Sequence, residues 1–166
     1  MKPNPSSTRF LIRSGSLAAF IAALLAGPSA QAVTWTGDTD ELWSETNGFN
    51  WDSLPASGSS LSFGAVGTGG ALLLHNDLTS GSFNINGITF NPGAAAFVIG
   101  DGTTTANSGN PFVLNGNVTN NGTNLETINN PFNLSGTRTF VANSGGADLT
   151  LGGDIGGSGG INKTGL

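Results

Sequence analysis

PFVLNGNVTNNGTNLETINN (Pro111 to Asn130) runs directly into PFNLSGTRTFVANSGGADLTLGGDIGGSGGINKTGL (Pro131 to Leu166). The words Pro111-Phe112-Val113-Leu114-Asn115-Gly116 and Pro131-Phe132-Asn133-Leu134-Ser135-Gly136 lie twenty residues apart. Leu114 to Gly122 returns loosely as Leu151 to Gly159. Short strands with β-branched centres recur between Asn and Gly turns, the pattern of a chain that stacks on copies of itself. No stretch here carries a helical period, so the expectation is all-β.

The same rhythm extends upstream. Ala71 to Leu74 precedes Asn76-Asp77, Ser82 to Ile85 precedes Asn86-Gly87, and Ile88-Thr89-Phe90 precedes Asn91-Pro92-Gly93. Phe97-Val98-Ile99 then leads through Gly100-Asp101-Gly102 and the polar tract Thr103 to Asn110. Strands of three to five residues are too short to hold as isolated hairpins. Stacked, they form a ladder of about 4.8 Å per coil, and coils of roughly 20 to 25 residues fit the period. Asn at the turns suits left-handed backbone and amide ladders between coils. An antiparallel β-sandwich is the rival architecture.

The first 32 residues are of another kind. Lys2, Arg9 and Arg13 are followed by the apolar run Leu17 to Ala26, by Gly27-Pro28, and by Ala30-Gln31-Ala32. That order reads as a secretory signal peptide cleaved after Ala32. The apolar run is too short for a membrane span, and no other run reaches that length, so the remainder is read as not membrane-spanning. After Ala32 the chain carries all ten acidic residues against Arg138 and Lys163, a net charge of minus eight. Such a surface argues against nucleic acid and anionic lipid as partners. Cysteine is absent, so an exported form relies on backbone pairing and stacking rather than disulfides.

Residues 33–70 hold all three tryptophans, Trp35, Trp43 and Trp51, eight residues apart each time. Two readings stay open. The indoles form a carbohydrate-stacking platform, or they plug the end of the stack, where the first coil has no predecessor to cover its core. Their clustering at the start of residues 33–166 favours the plug, with residues 71–166 as the coils.

Two parts of the chain resemble the passenger-associated transport repeat proteins, also called autotransporter-associated β-strand repeat proteins. Trp35-Thr36-Gly37, Trp43 and Asn50-Trp51 are similar to the tryptophan-rich start of their exported region, and Gly87-Ile88-Thr89-Phe90 is similar to a recurrent strand. Gly159-Gly160-Ile161-Asn162-Lys163-Thr164-Gly165 resembles the Gly-Gly-Leu-Thr-Lys-Thr-Gly that opens the repeat. The family repeat continues beyond this word, whereas the sequence stops at Leu166, so the coils are expected to be truncated within the first repeat. The resemblance implies a right-handed parallel β-helix with an aromatic N-terminal cap, exported by a Gram-negative bacterium to the cell surface, the outer membrane or the medium. It implies a non-enzymatic structural or adhesive module meeting polysaccharide or a host or cell-surface component, and it brings no catalytic residues.

Asp38, Asp40 and Glu41, with Asp52 nearby in sequence, are the densest acidic group and the candidates for a polysaccharide-cleaving pair. A lone His75, with neither Cys nor a Gly-x-Ser-x-Gly word, completes no nucleophilic constellation. Gly145-Gly146-Ala147-Asp148 and Gly152-Gly153-Asp154 approximate a calcium-binding nonapeptide, but lie seven residues apart where nine are needed. No metal and no cofactor is expected, and the acidic group is read as solvated turn residues. The final coil would then be left uncovered at Leu166, which predicts end-to-end self-association.

Overall fold

The computed structural model describes residues 31–44, 50–78, 81, 83–143 and 148–165. The expected leader lies outside them up to position 30. Ala32 lies inside, as the first residue of strand β1, paired with Ser60. Cleavage after Ala32 would therefore remove one residue of β1 and leave Val33 and Thr34.

The described residues form a parallel β-solenoid of about five turns without a helix. One face carries β1 (Ala32–Thr34), β2 (Ser59–Phe63), the second half of β4 (Asn84–Phe90), β7 (Val118–Asn120), β10 (Arg138–Ala142) and β13 (Ile161–Gly165). A second face carries the first half of β4, then β6 (Phe112–Leu114), β9 (Phe132–Leu134) and β12 (Ile155–Gly157). The third carries β3 (Leu73–His75), β5 (Val98–Gly100), β8 (Glu126–Ile128) and β11 (Leu149–Leu151). Every named strand pair is parallel, which overturns the sandwich alternative.

The two Pro-Phe words do stack: Phe112 pairs with Phe132 and Leu114 with Leu134. Their rings lie 5.4 Å apart at 12°, so sequence repetition becomes ring stacking. The looser match between Leu114 and Leu151 is not a register, because Leu151 sits on another face and pairs with Ile128. Nor does Asn86-Gly87 end a strand. It lies inside β4, where the chain turns the corner from pairing with β6 to pairing with β7.

Coil lengths are uneven. Ile88 pairs with Val118, thirty residues on, whereas Val118 pairs with Phe140, twenty-two on. Much of the excess is the tract Thr103 to Asn110, which leaves the ladder and crosses the following coils. Ser108 N–H donates to Asn129 O at 3.1 Å, and Asn107 Oδ1 accepts Asp154 N–H. Asn107, at φ 57°, is the sole described non-glycine residue with positive φ. Other asparagines also tie coils together through their side chains. Asn115 Nδ2 donates to Asn84 Oδ1 at 3.0 Å and Asn143 Nδ2 to Asn121 Oδ1 at 2.8 Å, tying one coil to the next.

Alternation in the strands sends one set of side chains inward. Val33, Leu61, Ile88, Val118 and Phe140 form one inward column in register. Beside it runs Phe63, Phe90, Asn120, Ala142 and Gly165. The second column tapers: two stacked phenylalanines give way to an amide, a methyl and a hydrogen. Asn120 is fully buried yet satisfied, donating to Asn124 O and Asp148 O and accepting from Gly122 N–H.

Candidate functional site

The features of chemical interest sit at the two ends of the solenoid. At the N-terminal end Trp35, Trp43 and Trp51 are buried, at 2 %, 0 % and 3 % exposure. Trp51 meets Trp35 edge-on at 5.1 Å and Trp43 edge-on at 5.6 Å, and all three pack on Phe63. A sugar ring needs an exposed indole face, and none is offered here. The carbohydrate platform is thus replaced by an aromatic plug, held by ring packing, since the three indole N–H groups find no acceptor among the described residues.

Around this plug the backbone edge is closed by side chains. The pairing of β1 with β2 points the N–H and C=O of Thr34 away from the stack. Both are satisfied: Asp52 Oδ1 accepts Thr34 N–H at 2.8 Å, and Asp52 N–H donates to Thr34 O at 2.9 Å. On the third face, Leu42 pairs beside His75 and likewise directs its own groups outward. Asp40 Oδ1 accepts Leu42 N–H at 2.9 Å, and Asn50 Nδ2 donates to Leu42 O at 3.0 Å.

Asn50 is the centre of this seal. It is fully buried, its Oδ1 accepts the N–H of Thr39 and of Asp40, and its carbonyl accepts the N–H of Thr36 and of Gly37. Asp38 Oδ1 takes the hydroxyl and N–H of Thr68, which brings the loop after β2 onto the end. The acidic group therefore does structural work: Asp38, Asp40 and Asp52 are engaged with backbone or hydroxyl donors, and Glu41 contributes its carbonyl to His75 N–H. His75 is a strand residue, and Trp43 N–H donates to its carbonyl. Asn50 was visible in the sequence only as part of an Asn-Trp word; four bonds to Thr39, Asp40 and Leu42 depend on a buried amide that no spacing announces.

The C-terminal end is built differently. Alternation along β11, β12 and β13 turns Asp148, Asp154 and Gly160 toward the previous coil, where their carbonyls accept Glu126, Phe132 and Arg138 N–H. It turns the backbone of Leu149, Leu151, Ile155 and Ile161 away from the stack. Their side chains are on the inward column set, with Ile155 and Ile161 left 37 % and 51 % exposed. An apolar cleft of about 150 Å³ opens there, lined by Phe140, Ala142, Leu149, Leu151 and Ile161, with Asp148 and Lys163 among its walls. Of the repeat word, Gly159, Gly160, Lys163, Thr164 and Gly165 surround and form β13, and Lys163 falls in register with buried Phe140.

Among the described residues one interior group is titratable. Glu126 on β8 is fully buried, and its Oε2 accepts Phe97 N–H at 2.9 Å. Burial pushes its carboxyl up to about 8, with the Phe97 bond acting weakly in the other direction. Among the described residues no three His, Cys, Asp or Glu side chains converge as metal ligands. Asp148 and Asp154 of the calcium-like words are described, but Gly145 and Gly146 lie outside the described residues. No protein-family model, curated protein or solved structure matches the chain.

Proposed function

We propose that this chain is an exported, non-enzymatic structural module of the autotransporter-passenger type, a bacterial cell-surface or secreted rod whose task is to hold a rigid shape and present its outer faces. The observation that carries this reading is the uninterrupted parallel ladder from β1 to β13 with an interior given over to packing. The acidic residues that a glycosidase would use are engaged in loop closure instead, and the indoles that a lectin would use are turned inward. The basic, apolar and small-residue order of the first 32 residues supports export, and the acidic remainder supports solubility outside the cell.

Expression in a Gram-negative host tests it. The expected outcome is a shortened chain beginning at Val33 outside the inner membrane, with β-rich circular dichroism and no turnover of a polysaccharide panel. Full-length protein retained in the cytoplasm would sink the export reading. Polysaccharide cleavage that disappears on Asp40→Asn or Asp52→Asn, with the spectrum unchanged, would sink the non-enzymatic one.

A further inference from the structure

The alternation that sends Leu61, Ile88, Val118 and Phe140 inward sends their neighbours outward. On the first face those neighbours form one rank in register: Thr34, Ser62, Thr89, Thr119, Val141 and Thr164. All but Val141 carry a hydroxyl, and valine keeps the branched shape of threonine. Two residues earlier on their strands, Ser60, Asn117 and Thr139 begin a second rank. Bonds between coils hold both ranks in place: Asn117 Oδ1 accepts Thr139 N–H at 2.9 Å, and Ser62 Oγ accepts Asn91 Nδ2 at 2.8 Å. The result is a grid of about 4.8 Å from coil to coil and roughly 6.6 Å from rank to rank. The other two faces carry no such repeat. Leu73, Val98 and Thr127 succeed one another on the third, and Val113, Asn133 and Gly156 on the second.

What projects from this face narrows its partner. None of the ten acidic residues of the chain occupies an outward position on its strands, so a charged polymer finds no complement there. The aromatic residues of the same strands, Phe63, Phe90 and Phe140, all point inward, so a sugar ring finds nothing to stack on. The face offers neutral hydroxyls, amides and methyls, repeated at fixed intervals in two directions. We propose that it is an ice-binding surface, whose ligand is the ordered water of a growing ice crystal. That ligand is uncharged, periodic in two directions on the same scale of a few ångströms, and both donates and accepts hydrogen bonds. Each hydroxyl anchors a water and each methyl restricts the orientation of the next, so the ladder repeats one hydration pattern coil after coil. A single such contact is weak, but ranks borne on one rigid body engage together. The inference goes beyond the passenger reading and is independent of export.

The probe is ice itself, grown in a dilute solution of the full chain. The expected result is faceted crystals, with grain coarsening in a frozen film arrested at concentrations where an inert globular protein has no effect. Thr119→Lys and Thr89→Lys each place a charge in the middle of the rank, on side chains that point away from the core. Either is expected to raise the concentration needed about tenfold or more, because the ammonium would have to shed its hydration against a neutral lattice. Thr127→Lys, the same change at a half-exposed outward position of the third face, is expected to leave the activity as it was. Circular dichroism confirms that each variant is folded, and should one of the first pair fail to fold the other decides. Coarsening no slower than with the inert protein would overturn the inference. So would full activity in a folded Thr119→Lys or Thr89→Lys, or an equal loss in Thr127→Lys. Retention on microcrystalline cellulose together with exclusion from growing ice would overturn it too, and would give the face to polysaccharide instead.

Discussion

At the N-terminal end, outward backbone groups of Thr34 and Leu42 are met by Asp52, Asp40 and Asn50, and an aromatic nest fills the bore. At the C-terminal end the corresponding groups of Leu149, Ile155 and Ile161 face away from the stack, and the inward column has shrunk from Phe63 and Phe90 to Ala142 and Gly165. Both ends belong to one ladder with one pairing rule. The difference teaches that closing a solenoid coil takes two separate devices, polar side chains for the edge and large rings for the bore, and that the first coil carries both.

The largest effect is expected from emptying the bore at each end in turn. Phe63 touches all three tryptophans as well as Phe90 and Phe97, so Phe63→Ala should cost about 4 kcal/mol in urea unfolding. Phe140 already borders an open cleft, so Phe140→Ala leaves less of a closed cavity and should cost about 2 kcal/mol. Equal costs would mean that the two ends are packed alike. Between those two costs falls the edge. Asn50→Ala removes the amide that serves Thr39, Asp40 and Leu42 and should cost about 3 kcal/mol. It should also make the first end associate, seen as a mass in sedimentation that rises with concentration; an edge that stays inert would show that Asp40 and Asp52 suffice.

The smallest effect concerns Glu126, packed between the coil of Phe97 and the open-end strand β11. Its folded-state value of about 8 lies above the ordinary 4.5, so the folded chain holds the proton more tightly than the unfolded one. The contribution is complete below about pH 4.5 and is lost as pH rises toward 8. Unfolding free energy should fall between pH 5 and pH 8 by on the order of 2 kcal/mol, and Glu126→Gln should flatten that dependence. A slope that survives the substitution would assign it to other groups.

The architecture was legible because stacking leaves a period. Phe112 over Phe132 follows from two Pro-Phe words, and the spacing of the tryptophans places the plug at the first coil. Coil length was less legible. The twenty-residue spacing of those words holds only between β6 and β9, since Phe132 pairs with Ile155 twenty-three residues on and Ile85 with Leu114 twenty-nine on; the tract Thr103 to Asn110 lengthens that earlier coil, because a polar insertion can leave a ladder without breaking it. The role of the acidic group was hidden for a different reason. Asp40 and Asp52 look alike in sequence to a catalytic pair or to solvated turn residues, and only the direction of the Leu42 and Thr34 backbone separates these from an edge seal.

The tract Thr103 to Asn110 has a consequence for how the molecule comes apart. A solenoid in which each coil touches only its neighbours melts as a one-dimensional chain, losing coils singly from whichever end is weaker. Here Asn107 and Ser108 reach past one coil to grip Asp154 as well as Asn129, an interaction beyond nearest neighbours. Coils tied in this way share one fate, so amide exchange should report a single cooperative unit over the described residues from Val98 to Asp154 rather than a gradient of protection.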